Sequence, residues 1–281
     1  MSRKTKDSLT VMALGLSALL GAALLGFILS AVLWRGWPAL GFDFLFTAPG
    51  KFGEGGVLFQ ALGTLLLTLG AGALCFPLAL GSALFQTEVL RPGKWNDTVS
   101  LLLYSLNAVP TVLFGLIGFL VFGVWMDTGV SWLTGVLVLA VMILPTVQTA
   151  VRQSMQAIPE SYQETARALG LTPWQRVRAV VLPRSVAGLV TGVLMGLARA
   201  AGETAAIMFT ATVFSGVLFP KSLSDPALTL QTHILTLAQE AVDPAAQAAA
   251  WGAGLVLISL VFCLIGLSLL IRRRNAVEAD L

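Results

Sequence analysis

Two charged residues, Arg199 and Glu203, interrupt an apolar stretch near the middle of a segment long enough to cross a lipid bilayer. An arginine guanidinium binds an oxyanion through two parallel hydrogen bonds, and a nearby carboxylate can hold the arginine and temper that affinity. A charge at the bilayer centre costs at least about 2.5–3.5 kcal/mol, so such residues mark functional sites by default. Their spacing of four predicts one helix face, which leaves a second interpretation, a structural ion pair that fixes helix packing.

The face that carries these charges also carries a row of glycines. At about 100° per residue, Gly188, Gly192 and Gly196 fall on the same side of the predicted helix as Arg199 and Glu203. Small residues at every fourth position let the backbone of another helix approach closely. The pattern therefore predicts that the charges point toward a packed interior or a pathway along it, away from lipid.

The composition of the chain indicates the framework that positions these residues. Hydrophobic residues make up 57% of the chain and charged residues 11%, with a mean hydropathy of +0.87, whereas soluble domains carry about 25% charged residues. A bilayer core about 30 Å thick needs roughly 20 apolar residues in a helix. The sequence predicts an all-α polytopic membrane protein with about six spans, at residues 9–33, 58–86, 100–123, 132–151, 185–213 and 248–271.

The basic residues indicate the orientation of these spans. If the N-terminus is cytoplasmic, thirteen of the 17 Lys and Arg residues fall in cytoplasmic segments. The outer segments then hold Arg35, Lys51 and Lys221, and Arg199 lies inside a span. Because cytoplasmic loops carry the excess of basic residues, this asymmetry predicts that both termini are cytoplasmic.

Two predicted outer segments are longer than turns. Residues 34–57 are rich in Gly, Pro and aromatic residues, which favour the headgroup region of a bilayer. Residues 215–247 contain an amphipathic stretch near Leu228 to Ala241 that either lies on the outer surface or docks a partner. The chain is thus expected to have three parts, residues 1–57, 58–272 and 273–281.

The longest predicted cytoplasmic loop, residues 152–184, has the pattern of two short helices. The first begins near Pro159 and ends at Gly170, a residue suited to the left-handed conformation that ends many helices. Thr172 can cap the second helix, and Pro183 is expected to end it. These residues alone describe either a helical hairpin or a solvated loop near anionic lipids.

The same loop resembles the cytoplasmic signature of ABC importer permeases, which reads Glu-Ala-Ala, three residues, Gly, nine residues and Ile-x-Leu-Pro. This chain reads Glu164-Thr165-Ala166, then Gly170, then Val180-Val181-Leu182-Pro183, with every spacing kept. In that family the segment forms coupling helices that seat in a groove of an ATPase subunit. The resemblance therefore assigns ATPase coupling to five residues, Glu164, Ala166, Gly170, Leu182 and Pro183. Because the chain has no P-loop, ATP hydrolysis is expected on a separate subunit.

A second resemblance includes the intramembrane charges. Residues 197–205, Leu-Ala-Arg-Ala-Ala-Gly-Glu-Thr-Ala, resemble the Arg-Ala-x-Gly-Glu-Thr-Ala block of phosphate permeases. The third span contains Asn107-Ala108-Val109-Pro110-Thr111, similar to another block of that family, so the candidate substrate-pathway residues are Arg199, Glu203, Asn107 and Thr111. Ala206 stands where the family usually has proline, a residue that breaks helices. The resemblance therefore does not predict a helix break just beyond Glu203 in this chain.

These resemblances imply a fold and a set of partners. The fold is that of an all-α type I ABC importer permease with MetI-like architecture, and the subunit type is PstA, from the bacterial phosphate importer of the cytoplasmic (inner) membrane. The implied partners are a PstC-type permease, a dimer of PstB-type ATPases, an extracytoplasmic PstS-type phosphate-binding protein and membrane lipid. No cofactor is expected on this chain, since ATP and Mg belong to the ATPase.

Three other functions fit parts of the sequence. A permease for sulfate, molybdate or tungstate fits the same residues, because specificity can lie in the binding protein. A proton-coupled secondary transporter that works through Glu203 leaves the loop signature unexplained. An intramembrane hydrolase needs a nucleophile with a base or two carboxylates at one depth, but the single histidine, His233, falls outside the spans. The chain also has no metal-ligand spacing, so no metal is expected.

We expect Gly170→Pro to abolish uptake by the assembled transporter and docking of the ATPase while membrane insertion stays intact. The reason is that proline is fixed near φ −65° and cannot adopt the left-handed conformation at the end of the first loop helix. Uptake assays and co-purification of the ATPase test this expectation. Normal uptake by the variant contradicts the coupling role.

Overall fold

The described part of the protein is built from helices. The computed structural model describes residues 3–50, 55–90, 93–212, 217–239 and 243–279, and within these ranges the β structure is one isolated bridge between Pro49 and Gly55. Lys51 and the start of the outer segment at Ser215 lie outside these ranges. The α-helices are α1 (Arg3–Gly36), α2 (Phe42–Phe46), α3 (Leu58–Leu84), α4 (Lys94–Asn107), α5 (Thr111–Gly118), α6 (Trp132–Gln156), α7 (Glu160–Ala168), α8 (Pro173–Arg176), α9 (Leu182–Ala201), α10 (Ala205–Thr210), α11 (Leu230–Gln239) and α12 (Pro244–Ala279).

Three π-helical turns follow or join these helices. They lie at Phe85–Val89 after α3, at Phe119–Trp125 after α5, and at Val177–Val181 between α8 and α9. A short 3₁₀ helix, Trp37–Ala39, follows α1. In the described ranges, five helices are long and apolar enough to cross a membrane, or six if one bent pair counts as a single span. The prediction of an all-α protein with about six spans is confirmed.

The bent pair corrects the predicted third span at residues 100–123. Helix α4 ends at Asn107, and α5 with its π-helical extension continues from Thr111 at an angle of 97°. Pro110 lies at the bend, with φ −56° and ψ 135°. Proline disfavours the helical conformation of the residue before it, and its missing N–H cannot continue the ladder of the preceding helix. The predicted third span is therefore two helices that change direction at Pro110.

The predicted fifth span, residues 185–213, is not one continuous helix. The helical path begins at Pro173, runs through the π turn and α9, and stops at Ala201. The segment Ala205–Thr210 is a separate short helix. The interruption between α9 and α10 falls at the charged residues identified from the sequence.

The described chain divides into two compact units, and the first combines residues 1–57 with residues 234–256. Inside this unit the guanidinium of Arg35 lies 5.1 Å from the centre of the Trp251 ring. A Cβ added to Gly36 would lie 2.7 Å from the carbonyl oxygen of Trp251, so the glycine allows a close helix approach. Residues 234–256 thus group with the N-terminal part of the chain.

The second unit combines residues 58–233 with residues 257–281 and contains the main core. This core lies among α3, α6 and α9, where Leu67, Leu139, Met142 and Ile143 are almost completely buried. Many large apolar side chains on the outer faces of the candidate spans are exposed, as expected for surfaces that meet lipid.

We expect Gly63→Ala to lower the thermal unfolding temperature of the detergent-solubilised protein. A Cβ at this position of α3 would lie 1.9 Å from the carbonyl oxygen of Leu228, and a backbone atom cannot move aside cheaply. Overpacking of this kind costs about 1–3 kcal/mol. The matched control is Gly81→Ala in the same helix, where a Cβ meets nothing within 4 Å and stability should be unchanged or slightly higher. Equal unfolding temperatures for the two variants contradict the close approach.

Candidate functional site

Arg199 lies in the last turn of α9, where three helices meet. Its Nη1 donates to the Asn107 Oδ1 at 3.1 Å and to the Thr146 Oγ1 at 2.7 Å. The Thr146 hydroxyl also donates to the Asn107 Oδ1 at 3.3 Å, which closes a triangle of three polar side chains. Asn107 is the last residue of α4 and Thr146 lies in the middle of α6, so the guanidinium joins α4, α6 and α9.

The glycine row of α9 brings Arg199 to this position. A Cβ added to Gly188 would lie 2.1 Å from the Cβ of Ser154 on α6, and one added to Gly196 would lie 2.4 Å from a methyl of Val147. These pairs run in opposite directions along the two helices, so α9 packs antiparallel on α6. The next turn of the same contact places Arg199 beside Thr146. The glycine face and the arginine therefore share one packing surface.

Glu203 lies in the interruption between α9 and α10. Its Oε1 accepts the backbone N–H of Ala206 at 3.3 Å, a donor in the first turn of α10 that has no partner within its own helix. The break occurs although Ala206 replaces the proline that the related family usually carries. A proline would have no N–H at this position, whereas alanine has one and Glu203 accepts it.

The structure corrects the prediction that Arg199 and Glu203 lie on one helix face. Helix α9 ends at Ala201 with Gly202 as its C-cap, so the spacing of four no longer places the two side chains one turn apart. In the described ranges the two side chains do not form an ion pair within 4.0 Å, and the pair that meets this criterion is Arg176 with Glu88. The polar partners of the Arg199 guanidinium are neutral side chains.

Gln231 supports the broken end of α9 from outside the helix. The Gln231 side chain is 3% exposed, and its Nε2 donates to the carbonyl oxygen of Ala201, one of the carbonyls that a helix end leaves without a partner. Its Oε1 accepts the hydroxyl of Thr64 at 3.1 Å, and the Thr64 Oγ1 accepts the N–H of Leu230 at 3.0 Å. The first turn of α11 is thereby fixed to α3 and α9.

Two of these residues, Thr146 and Gln231, were not identified from the sequence. A single threonine in a predicted span and a glutamine in an amphipathic stretch give no signal without the partner that each one contacts. In contrast, Thr111 was predicted for the site but lies beyond the bend, and Arg199 does not hydrogen-bond to it in the described residues.

The loop between α6 and α9 contains the signature residues. Helix α7 ends in a Schellman motif, in which the Gly170 N–H donates to the Arg167 carbonyl at 2.9 Å and the Leu171 N–H to the Ala166 carbonyl at 3.1 Å. Gly170 has φ +71°, the left-handed conformation predicted for it. Ala166 is buried, whereas Glu164 and Gly170 are exposed. The exposed residues are available to a partner, and the buried alanine anchors the helix.

The second loop helix does not end at Pro183, so that prediction is wrong. Thr172 forms a capping box with Gln175 at the start of α8, and the helix continues through the π turn Val177–Val181 into α9. A proline ring crowds the carbonyl four residues earlier, which here is that of Ala179 inside the π turn. The wider turn accommodates the ring and the missing N–H. Pro183 is exposed in the first turn of α9, and the neighbouring Leu182 is half-buried.

Two contacts attach this loop to the rest of its unit. The guanidinium of Arg176 forms an ion pair with Glu88 in the π turn after α3, with its Nε 2.9 Å from Oε2. The guanidinium of Arg184 lies 4.3 Å from the centre of the Tyr162 ring on α7. These contacts join the loop to the end of α3 and to the start of α9.

Solved structures define the class of protein to which this fold belongs. A chain of the MetNI methionine ABC transporter in an inward-facing conformation matches with a TM-score of 0.62 and 22% identity, over 77% of this chain and 94% of that chain. A chain of a bacterial alginate ABC transporter, solved with an alginate pentasaccharide-bound periplasmic protein, matches with a TM-score of 0.67 and 17% identity over 96% of each chain. At these identities the likeness concerns the fold, which is that of type I ABC importer permeases.

Sequence comparison identifies the family. The family model described as "Binding-protein-dependent transport system inner membrane component" matches residues 75–277, and the chain belongs to this family. It is 32% identical to the "Probable phosphate transport system permease protein PstA" of Methanocaldococcus jannaschii, over 99% of this chain and 96% of the relative. It is 32% identical to the "Phosphate transport system permease protein PstA 2" of Mycobacterium bovis over 78% and 72%, and 28% identical to the "Probable ABC transporter permease protein YqgI" of Bacillus subtilis over 92% of each. The chain is therefore an ABC transporter permease subunit, a multi-pass component of the inner membrane.

We expect Gln231→Leu to destabilise the break between α9 and α10. The substitution leaves the Ala201 carbonyl without its donor and the Thr64 O–H without its acceptor, and an unpaired buried polar group costs about 1–3 kcal/mol. Hydrogen exchange at residues 202–204 and thermal unfolding measure the effect. The control is Gln239→Leu, at an exposed position at the other end of α11, which should change neither quantity. Equal protection in the two variants contradicts the supporting role of Gln231.

Proposed function

We propose that this chain is the PstA-type permease subunit of an importer for inorganic phosphate. The observation that carries the proposal is Arg199, a half-buried cation where α4, α6 and α9 meet, whose hydrogen-bond partners, Asn107 and Thr146, are neutral. Relatives named as phosphate permeases, which match most of the chain, support the choice of substrate. Phosphate carries negative charge at neutral pH and accepts hydrogen bonds on every oxygen, which suits a guanidinium.

The charge at this site favours an anionic substrate over a neutral or cationic one. In the described residues no carboxylate lies within 4.0 Å of the Arg199 guanidinium, so its positive charge is available to attract an anion. Asn107 and Thr146 hold one guanidinium nitrogen, which leaves the other N–H donors to meet substrate oxygens. Glu203 contacts α10 through Ala206, so in this proposal it sets the position of the break and repels an anion that lingers near it.

The break itself supports a role on the substrate pathway. Irregular backbone at membrane depth occurs where it is buried in protein or lines a water-filled cavity, since lipid cannot satisfy free N–H and C=O groups. Helices α4 and α9 both end near Arg199, at Asn107 and Ala201 respectively. In transporters such discontinuous helices carry the substrate site.

The loop from Arg152 to Arg184 is proposed to receive the force of ATP hydrolysis from a PstB-type ATPase dimer. Both termini and this loop would be cytoplasmic, by the excess of basic residues on that side. Exposed Glu164 and Gly170 are the proposed contacts with the ATPase, with Ala166, Leu182 and Pro183 as the frame behind them. A PstC-type permease and an extracytoplasmic phosphate-binding protein complete the proposed complex, and ATP with Mg acts on the ATPase.

The mechanism follows from these contacts. Closure of the ATPases would move α7 and α8, and the ion pair between Arg176 and Glu88 would pass the movement to α3. Because α8, the π turn and α9 are continuous, the same movement would turn or shift Arg199 relative to Asn107 and Thr146. Weakening of this triangle would give the site a different affinity for the anion in the outward-open state than in the inward-open state. A pump requires such a difference in affinity between its two states.

We expect Arg199→Ala to abolish ATP-dependent uptake of labelled phosphate in proteoliposomes that contain the complete complex. Thr146→Val removes one partner of the guanidinium and should lower uptake roughly tenfold, as expected for loss of a hydrogen bond to a charged group. The matched control is Thr191→Val on α9, whose hydroxyl bonds to Ala187 of its own helix, and it should transport normally.

Three outcomes separate the possibilities. Uptake that survives Arg199→Ala shows that the arginine has a packing role only. Uptake of sulfate or molybdate but not phosphate by the wild-type complex keeps the permease and rejects the substrate. Transport in energised vesicles without ATP favours proton coupling through Glu203.

A further inference from the structure

A second polar site lies between α4 and α6, nearer the loop end of α6 than Thr146. It is a cavity of about 80 Å³. Its lining includes Ser100 and Tyr104 from α4 and Gln148 and Arg152 from α6. All its lining residues fall within residues 93–212, which the structure describes, and none carries a carboxylate. The cavity is therefore polar and carries positive charge.

Arg152 supplies that charge without a carboxylate to neutralise it. Its Nη1 donates to the Gln86 Oε1 at 2.7 Å and to the Ser100 Oγ, and both partners are neutral. Among the residues that the structure describes, no carboxylate lies within 4.0 Å of this guanidinium, since Glu88 forms its ion pair with Arg176 and Asp97, one turn before Ser100 on α4, is exposed. A half-buried guanidinium with neutral partners keeps its attraction for an anion.

Gln148 provides a second, independent indication of a ligand. Its side chain is 2% exposed and lines the cavity, and its Nε2 has no hydrogen-bond partner. Buried side-chain donors are nearly always paired, because an unpaired donor loses its bonds to water and gains nothing in return. The Nε2 atom is itself buried, so the amide would turn about its last side-chain bond to bring this N–H to an acceptor in the cavity. The cavity thus offers a cation, an unpaired N–H donor and hydroxyl groups to one ligand.

We propose that this cavity binds one tetrahedral oxyanion through a phosphate group, held between Arg152 and Gln148. A volume of about 80 Å³ is several times the ~10–15 Å³ of such space that one water needs, which leaves room for one phosphate group. The phosphate can belong to free inorganic phosphate or to the headgroup of an anionic lipid, since both present the same oxygens. This site is separate from Arg199 and does not depend on the proposed function.

The experiment measures equilibrium binding of labelled inorganic phosphate to the full-length chain in nanodiscs. One set of nanodiscs contains only phosphatidylcholine, and a second set also contains phosphatidylglycerol. The wild-type chain and Gln148→Leu are compared in each, both with Arg199 present and in an Arg199→Ala background, which removes any phosphate held at the proposed pathway. Native mass spectrometry of the same samples detects retained phosphatidylglycerol.

The matched control is Gln60→Leu. Gln60 is also 2% exposed and also has an unpaired polar atom, its Oε1, but it lies on α3 and does not line the cavity. We expect Gln148→Leu to weaken phosphate binding roughly tenfold and Gln60→Leu to leave it unchanged. If Gln148→Leu does not fold, Tyr104→Phe decides, because Tyr104 is exposed at the rim and its hydroxyl is removed without loss of core packing.

Each result supports or overturns the site. Saturable phosphate binding in phosphatidylcholine that survives Arg199→Ala and weakens in Gln148→Leu supports free phosphate as the ligand. Retention of phosphatidylglycerol by wild type and its loss in Gln148→Leu supports the lipid headgroup. The proposal is overturned if the Arg199→Ala chain binds neither ligand. It is also overturned if Gln148→Leu and Gln60→Leu have equal effects, because the cavity then holds only water. Transport in the complete complex reports on Arg199 separately.

Discussion

The close packing of α9 on α6 is the constraint on which the rest of the site depends. In hydrocarbon, lipid tails are as apolar as leucine, so helices associate through close contact rather than through burial from water. Gly188 and Gly196 leave no room for a Cβ against α6, which sets the distance between the two backbones. That distance allows the short hydrogen bond from Arg199 to Thr146. The placement of one cation thus depends on residues that carry no chemistry.

The interruption between α9 and α10 follows a general rule for helix ends in membrane proteins. A helix that ends inside a membrane protein leaves backbone groups that lipid cannot bind, so each end needs partners from the protein. Gln231 binds the carbonyl of Ala201, and Glu203 accepts the N–H of Ala206. These side chains come from outside the interrupted helices or from the gap itself. These two backbone groups at the break therefore have hydrogen-bond partners. The break is present although Ala206 stands where the resembling family usually has proline.

Features with short-range causes were predictable from the sequence, and features that depend on distant partners were not. The left-handed Gly170 and the capping Thr172 follow from their neighbours, and the spans follow from apolar length. The separation of Arg199 from Glu203 required knowing that the helix stops between them, since wheel geometry assumes a continuous helix. The role of Gln231 required a contact with a residue thirty positions away. Family resemblance supplied the permease fold, which apolar periodicity alone does not distinguish from other helical bundles.

The π turn at Val177–Val181 determines how α9 is rotated about its axis relative to α8. A π turn closes over one more residue than an α turn, so α9 is rotated by about 100° from where an uninterrupted α-helix after α8 would place it. The face of α9 that packs on α6 and carries Arg199 therefore depends on this one extra residue in the connection from the loop. One extra residue in this turn thus sets the rotation of the Arg199 end of α9 relative to α8.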